Sequence, residues 1–371
     1  MATRTVTVLE GDQTGQELLE EALRVLQPGV IGFPIDFQRF DLRLDNRRRT
    51  KNKVVEEAAL AMRETGLGLK AATITPETRD DVGSPNAILR EAIDATVILR
   101  VGRRLPGVRV VGGVHEPVSV VRMAVGDAYR AKEWREGGAG SLDEAAYRAD
   151  RVTRRVCRSV AEFSFQHAER TGARVFGGPK FTVSPVYEGM FKEELDRAAA
   201  NHPGVGYEPV LIDALYALLL NQPGDAIVIP ALNRDGDCLS DLVMQMFGSI
   251  AGAESMIFSF RPDWSVAVAM AEAPHGTAPR LEGKNVANPM AMILAAAALL
   301  DHFGTPEADR AAGAVRGACL DAVNEGIRTA DLKGHAGTTQ FTDAVIERTR
   351  GRLEGSAAGS QGVAQQAAAG G

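Results

Sequence analysis

The sequence predicts an α/β architecture in which parallel strands are joined by helices, and three features carry that expectation. Short runs rich in β-branched and apolar residues alternate with longer stretches of helical periodicity along most of the chain. The composition, 45% hydrophobic and 24% charged over 371 residues, is that of a globular chain long enough for two domains with sizeable cores. No apolar run approaches the ~20 residues that cross a bilayer, and no secretory h-region follows Met1, so the chain reads as soluble and cytoplasmic.

TVTVLE (5–10) is the first expected strand, because its apolar residues alternate, and a helical pattern follows Gly15. A second helix opens at Pro85, with Ser84 placed as its N-cap and Pro85 at its first position. ATVILRV (95–101) and VSVVRMA (118–124) read as strands. The Gly-, Ala- and charge-rich interval around residues 130 to 150, KEWREGGAGSLDEAAYR, breaks the periodicity and reads as an arm leaving the core. Beyond it come a helix after Asp150, strands PVLID (209–213) and DAIVIPA (225–231), and helical patterns at Cys238 and after Ala287. The last stretch, 355–371, holds a single Val as its sizeable apolar residue and is expected to be a disordered tail.

Several function classes are disfavoured. The formal net charge of −6 argues against general nucleic-acid affinity, and the Arg47-Arg48-Arg49 run reads as a solvated surface loop. Cys157, Cys238 and Cys319 are odd in number and widely spaced, which fits buried free thiols. Neither GxGxxG after the first strand nor GxxxxGK[ST] is present, so any nucleotide site is built differently from the Rossmann and P-loop cradles.

Such a site is suggested by EAPHGTAPRLEGKNVANP (272–289). Gly276, Ala278 and Pro279 lack bulk, so backbone amides there can approach an adenosine closely, and His275 offers ring nitrogens. In NRDGDCLSDLVMQMFGSI, Asp237 and Asp241 lie four apart, opposite an apolar helical stripe from Leu239 to Ile250. They are either solvated acids favoured near a helix start or, with Asp213 at the end of PVLID, oxygen ligands of one hard cation, Mg²⁺ or Mn²⁺. Arg90, Arg100 and Arg122 stand at element ends; each alone reads as a surface residue, and together they suit a polycarboxylate. Tyr129 and Lys180, taken singly, read as structural.

These segments together resemble the metal-dependent β-decarboxylating dehydrogenases: isocitrate, 3-isopropylmalate, homoisocitrate and tartrate dehydrogenases. EAPHGTAP is similar to their nucleotide loop, NRDGDCLSD to N-L-x-G-D-x-x-S-D, LIDA to the D-A segment upstream, ITPET to T-T-P, and SPNAILR to S-x-N-x-x-L-R. GDQTGQE (11–17) and GTTQFTDAV (337–345) extend the likeness over nearly the whole chain to about residue 350. The family implies two α/β domains flanking a cleft: a large cofactor-binding domain from 1–95 and 248–354, a small domain with the dimer interface from 96–128 and 174–247, and a clasp over 129–173. It implies metal ligands Asp213, Asp237 and Asp241, with Asp213 coming from the neighbouring subunit of a homodimer.

The resemblance also assigns substrate contacts to Ser84, Asn86, Arg90, Arg100 and Arg122, and proton transfer to Tyr129, Lys180 and Asp213. Dinucleotide contacts fall on Thr75, Glu272, His275, Gly276, Thr277, Ala278, Arg280 and Asn288. The polar pair Ser84 and Asn86 is like the isocitrate branch, where it receives an anionic γ-substituent, carboxylate or phosphonate. Arg280 stands where NADP-dependent relatives carry Lys and NAD-dependent ones Asp, so NADP is the expected cofactor, with NAD as the other possibility. The activity implied by the resemblance is oxidative decarboxylation of an isocitrate-like 2-hydroxy acid to a 2-oxo acid and CO₂. The alternatives are a homoisocitrate, tartrate or isopropylmalate type, or a non-catalytic regulatory or ligand-binding subunit. The departures are Met123, Ala124, Val125, Gly126 and Asp127 in place of E-N-T-E-G, Thr182 in place of Asn, and Pro274 before His275. They suggest a specialised substrate, as in secondary metabolism.

Overall fold

A computed structural model describes residues 3–78, 80–111, 116–221 and 224–369, with side chains through residue 355. Its N-terminal part gives β1 (Arg4–Glu10), α1 (Thr14–Val25), the single turn α2 (Pro28–Ile31), β2 (Ile35–Asp41), α3 (Leu44–Thr50), α4 (Lys53–Thr65) and β3 (Leu67–Lys70). Then come α5 (Pro85–Ala92), β4 (Val97–Gly102) and β5 (Val118–Met123), followed by the hairpin β6 (Asp127–Glu136) and β7 (Ala145–Arg151). Next are α6 (Arg154–Thr171), β8 (Arg174–Gly178), α7 (Tyr187–Asn201), β9 (Tyr207–Leu211), α8 (Ile212–Asn221), β10 (Ile227–Ala231) and α9 (Asn233–Met246). The chain closes with β11 (Glu254–Phe260), β12 (Val266–Glu272), α10 (Met290–Leu300), α11 (Pro306–Asn324) and α12 (Thr338–Ala369).

Ten strands form one sheet in the order β2-β1-β3-β12-β11-β4-β5-β10-β8-β9. The expected parallel pairing holds on both flanks and fails in the middle, where β11 runs antiparallel to β12 and β4, and β4 antiparallel to β5. A crossover helix is required only between parallel neighbours, and the six-residue step from Phe260 to Val266 already makes β11 and β12 antiparallel. The arm around 130–150 is the β6–β7 hairpin, a separate two-stranded sheet.

Register fixes which side chains meet. Arg100 of β4 lies opposite Val120 of β5, and Arg122 opposite Ile98, so the two arginines emerge on the same sheet face as diagonal neighbours. That face is covered by α5 and α9: Ile98 packs with Leu89, and Val120 with Leu239, Val243 and Phe247. The opposite face carries α6 and α10. All eleven residues of α10, MAMILAAAALL, are buried, as a helix apolar on every side must be.

Three expectations give way to the structure. Asp213 does not end a strand; β9 stops at Leu211, and Asp213 sits in the first turn of α8, whose IDALYALLLN sequence is apolar on all sides and so hides its period. Arg47 is not solvated: its guanidinium is fully buried and donates to the carbonyls of Leu42 (2.9 Å), Gly83 (3.3 Å) and Ile74, while Arg48 pairs with Asp81. Cys157 and Cys319 are buried, but Cys238 is exposed because it lies on the solvent side of α9. α12 begins at Thr338, and its backbone is helical through Ala369. Among the described residues no helix is long and apolar enough to cross a membrane.

The helical face of the sheet holds an acid-sensitive element. His167 on α6 is buried between the Ser119 hydroxyl and the Arg170 guanidinium, each 3.0 Å from a ring nitrogen, and His302 packs against Phe258. Burial holds His167 down to about 3 and His302 down to about 4. Between pH 6.5 and 4 the unfolded chain therefore takes up protons that the folded chain refuses, so stability falls with acid by about 1.4 kcal/mol per pH unit for each histidine. Thermal midpoints at pH 7 and pH 5 should converge in a His167→Gln/His302→Gln variant; an unchanged gap assigns the acid sensitivity to other groups.

Candidate active site

Three arginines and two aspartates converge where α5, β4, β5 and α9 meet. Arg122 is buried; its Nε donates to the Asn233 side chain at 2.9 Å and its guanidinium pairs with Asp237. Arg100 donates to the Ser240 hydroxyl at 2.9 Å and to Asp241 at 3.1 Å. Burial, relieved in part by Asp237 and reinforced by the nearby charges of Arg90 and Arg100, brings the Arg122 guanidinium down to about 10. Like charges held this close cost energy unless something anionic lies between them. The Nε atoms of Arg90 and Arg100 and the Asn86 side-chain oxygen are buried with no partner, an arrangement suited to a polyanionic ligand.

Asp237 and Asp241 lie one turn apart on α9, which begins at Asn233, so Asp237 falls in the second turn and not in the first, where the helix dipole alone would favour it. Tyr129, on β6, donates its hydroxyl to Asp237 and lies under the Arg122 guanidinium, 5.2 Å from ring centroid to Cζ. Burial and that hydrogen bond raise the phenol above its ordinary range, which keeps it a proton donor. Asp127, at φ 61°, anchors this corner by accepting from the Tyr187 hydroxyl at 2.8 Å and from the Arg234 amide, at the start of α9, at 2.7 Å.

Lys180 lies between β8 and α7 and pairs with Asp213, whose carboxyl it holds below the usual range. No hydrogen bond or ion pair among the described residues joins this pair to the Arg122–Asp237 group, and no three acidic, His or Cys side chains among them come close enough to hold one metal ion. The chain thus presents two separate fragments. Oxygen donors fit a hard divalent cation, but the single chain supplies them as a pair, Asp237 and Asp241, with Asp213 elsewhere.

The 272–289 segment borders the arginines. Glu272, the last residue of β12, lies 4.0 Å from Arg90 and 3.5 Å from the buried Lys70. Burial opposes its ionisation, yet Lys70, Arg90 and Arg100 hold its carboxyl below the usual range. His275 is brought down by burial; its Nδ1 lies 3.0 Å from the Gly276 carbonyl, and its Nε2 is buried and unpartnered, a hydrogen-bonding atom with nothing to meet inside the chain. The Thr14 hydroxyl donates to the Ala278 carbonyl at 2.8 Å, fixing the loop over the start of α1, with Ala278 at φ 43°. Gly276 and Arg280 are exposed, Thr277 half-buried. Asn288 is occupied internally, accepting from the Met290 amide and donating to Asp331, both at 3.0 Å.

Ser84 occupies the N-cap of α5 but makes no capping bond, contrary to the expectation for its side chain; its hydroxyl is 3.4 Å from that of Thr75, which joins the T-P loop to α5. Sequence reasoning missed Lys70, a lysine in a four-residue strand with every residue buried, and two organisers of the T-P loop. Arg47 is one, and Asp12 the other, accepting from the amides of Leu44 (2.9 Å) and Ile74 (2.8 Å). Gly11 is needed beside it, since a Cβ there would fall 2.1 Å from the Ala72 carbonyl oxygen.

Comparison with known proteins identifies the family. The isocitrate/isopropylmalate dehydrogenase family model matches residues 5–345. A mitochondrial isocitrate dehydrogenase [NAD] catalytic subunit 5 of Arabidopsis thaliana is 29% identical over 92% of this chain and 88% of its own. An isocitrate dehydrogenase [NADP] of Sphingobium yanoikuyae is 31% identical over 86% of this chain and 89% of its own. The crystal structure of isocitrate dehydrogenase from Methylococcus capsulatus superposes with a TM-score of 0.80 at 24% identity, covering 94% of this chain and 100% of the other, a likeness of fold. The sheet, the paired acids on α9 and the arginines facing them therefore belong to a member of the isocitrate/isopropylmalate dehydrogenase family, decarboxylating NAD(P)-dependent oxidoreductases that act on hydroxy acids.

Proposed function

We propose that the chain oxidatively decarboxylates a 2-hydroxy acid that carries a carboxylate on C3 and an anionic γ-substituent, with preference for NADP⁺, in a dimer whose sites are shared. The observation that carries the substrate reading is the cluster of Arg90, Arg100 and Arg122, with the Nε atoms of Arg90 and Arg100 unpartnered, beside Ser84 and Asn86. Charge-assisted bonds from these guanidiniums bind the carboxylates and fix the orientation of C2 and C3. The separation of Lys180 and Asp213 from the other fragment supports a site completed by a second copy of the chain. Asp237 and Asp241, with Asp213 of that second copy, would hold a divalent cation, which when bound lowers the pKa of the substrate hydroxyl and stabilises negative charge developing on its oxygen.

The chain's own groups then move the protons. Lys180, as the neutral amine and oriented by Asp213, takes the hydroxyl proton as hydride passes from C2 to the oxidised nicotinamide, and Tyr129, kept protonated, delivers a proton to C3 after CO₂ departs. Arg280, exposed at the edge of the nucleotide loop, is placed for a 2′-phosphate. The test is absorbance at 340 nm with Mg²⁺, either dinucleotide, and isocitrate, homoisocitrate, tartrate, isopropylmalate or phosphonomethylmalate. Turnover is expected with an acid bearing an anionic γ-group; binding of such acids with no turnover of any of them would identify a regulatory subunit.

A further inference from the structure

We infer that Asp127 is a positioning residue for proton delivery: its carboxylate holds Tyr129 in register with the acids of α9, and the inference rests on the dehydrogenase reading above. Asp127 opens β6 and is buried. It takes the last place of the segment that departs from E-N-T-E-G, where that pattern has glycine. Its backbone keeps a glycine-like conformation, φ 61°, which costs a residue with a side chain energy that something else must offset. What the aspartate supplies in return is two acceptor oxygens, each in use.

One oxygen secures α9. Leu232, at the N-cap of that helix, has no side-chain acceptor, so the amides of the first turn need one from elsewhere. Asp127 Oδ2 accepts from the Arg234 amide at 2.7 Å, and a carboxylate suits the positive end of the helix. Beside it the Gly126 carbonyl accepts from the Asn233 side-chain amide at 3.0 Å, while the oxygen of the same Asn233 side chain accepts from Arg122. The start of α9 is thereby fixed to the bend before β6, and Asp237 follows Asn233 by one turn. The other oxygen, Oδ1, accepts from the Tyr187 hydroxyl at 2.8 Å, at the start of α7. Three elements, β6, α7 and α9, thus meet on one side chain.

Tyr129 depends on this arrangement. Pairing with β7 is irregular between Asp127 and Lys132, so no regular ladder sets where Tyr129 points. Its place is set instead by what it touches, Asp237 at the hydroxyl and the Arg122 guanidinium over the ring, and by Asp127 two residues back. From Asp127 through Arg234 and along α9 to Asp237, across to the Tyr129 hydroxyl and back along β6, the contacts form a closed loop. Removing the Asp127 contacts opens that loop, and the phenol then keeps its chemistry but not its fixed position.

The test compares Asp127→Gly, which relieves the backbone and removes both acceptors, with Asp127→Asn, whose amide can accept from Arg234, donate to the Tyr187 hydroxyl and tolerate the same φ. Deuterium uptake by backbone amides, followed by mass spectrometry without substrate, reads the hold on residues 128–131 and on the first turn of α9. With Mg²⁺, NADP⁺ and the acid turned over fastest among the five above, the first-turnover rise at 340 nm reads hydride transfer. Exchange of the C3 hydrogens of the 2-oxo product with D₂O reads proton delivery. Asp127→Gly should speed deuterium uptake at those two segments about tenfold, slow C3 exchange and steady-state kcat roughly thirtyfold, and leave the first-turnover rise and KM within about threefold. Asp127→Asn should restore C3 exchange to within about threefold of the unmodified chain. Uptake unaltered in Asp127→Gly, hydride transfer slowed as much as C3 exchange, or no recovery with Asp127→Asn overturns the positioning role. Faster uptake at the two segments, together with no turnover of any of the acids by the unmodified chain, keeps the Asp127 anchor on Tyr129 and overturns the dehydrogenase reading.

Discussion

Chains carrying Lys180→Met and chains carrying Asp237→Asn should each lose about a thousandfold in turnover, and a refolded equimolar mixture of the two should recover roughly a quarter of the unmodified activity. The recovery arises from the separation of the two fragments: Lys180 pairs with Asp213, Asp237 with Arg122 and Tyr129, and no contact among the described residues links the pairs within one protomer. In a mixed dimer one site collects both altered residues and the other collects neither. Half the dimers are mixed, and each holds one intact site of two. A mixture no more active than its components would place all of these residues in a single protomer's site.

Arg280→Asp should move the ratio of kcat/KM for NADP⁺ over NAD⁺ by roughly a hundredfold toward NAD⁺, since a charge-assisted bond to a 2′-phosphate is replaced by repulsion. Arg280 is exposed, and its side chain forms no hydrogen bond or ion pair among the described residues; the loop is held by Thr14 at Ala278 and by Glu17, which accepts from the Gly283 amide at 2.6 Å. The variant therefore alters recognition with the frame intact. A ratio that stays where it was removes Arg280 from cofactor choice.

Sequence pattern was informative where β-branched and apolar residues run together. TVTVLE and VSVVRMA are both strands, and VSVVRM is buried at every residue. The paired acids on α9 and the arginines of β4, β5 and α5 were legible from spacing, and register now explains why they meet. What escaped was set by tertiary context. LGLK has no period to detect in four residues, all of them buried, and a lysine there reads as surface until Glu272 appears opposite it in β12. Arg47 looked solvated because its three carbonyl partners, at 42, 74 and 83, come from segments with no sequence pattern linking them to it. The β6–β7 hairpin, polar on both faces, gives no alternation against a core.

Strand order also governs how this molecule is made. β3 acquires its second neighbour only when β12 arrives, about two hundred residues later in synthesis, and β4 waits for β11 in the same way. As the chain leaves the ribosome, the segment from β5 to α9 can close on itself first, while β3 and β4 stand with open edges that invite pairing with other nascent chains. Assembly is thus completed by the short β11–β12 ribbon, which seals both edges in one event, and damage to that ribbon would appear as aggregation during expression before it appeared as a defect in chemistry.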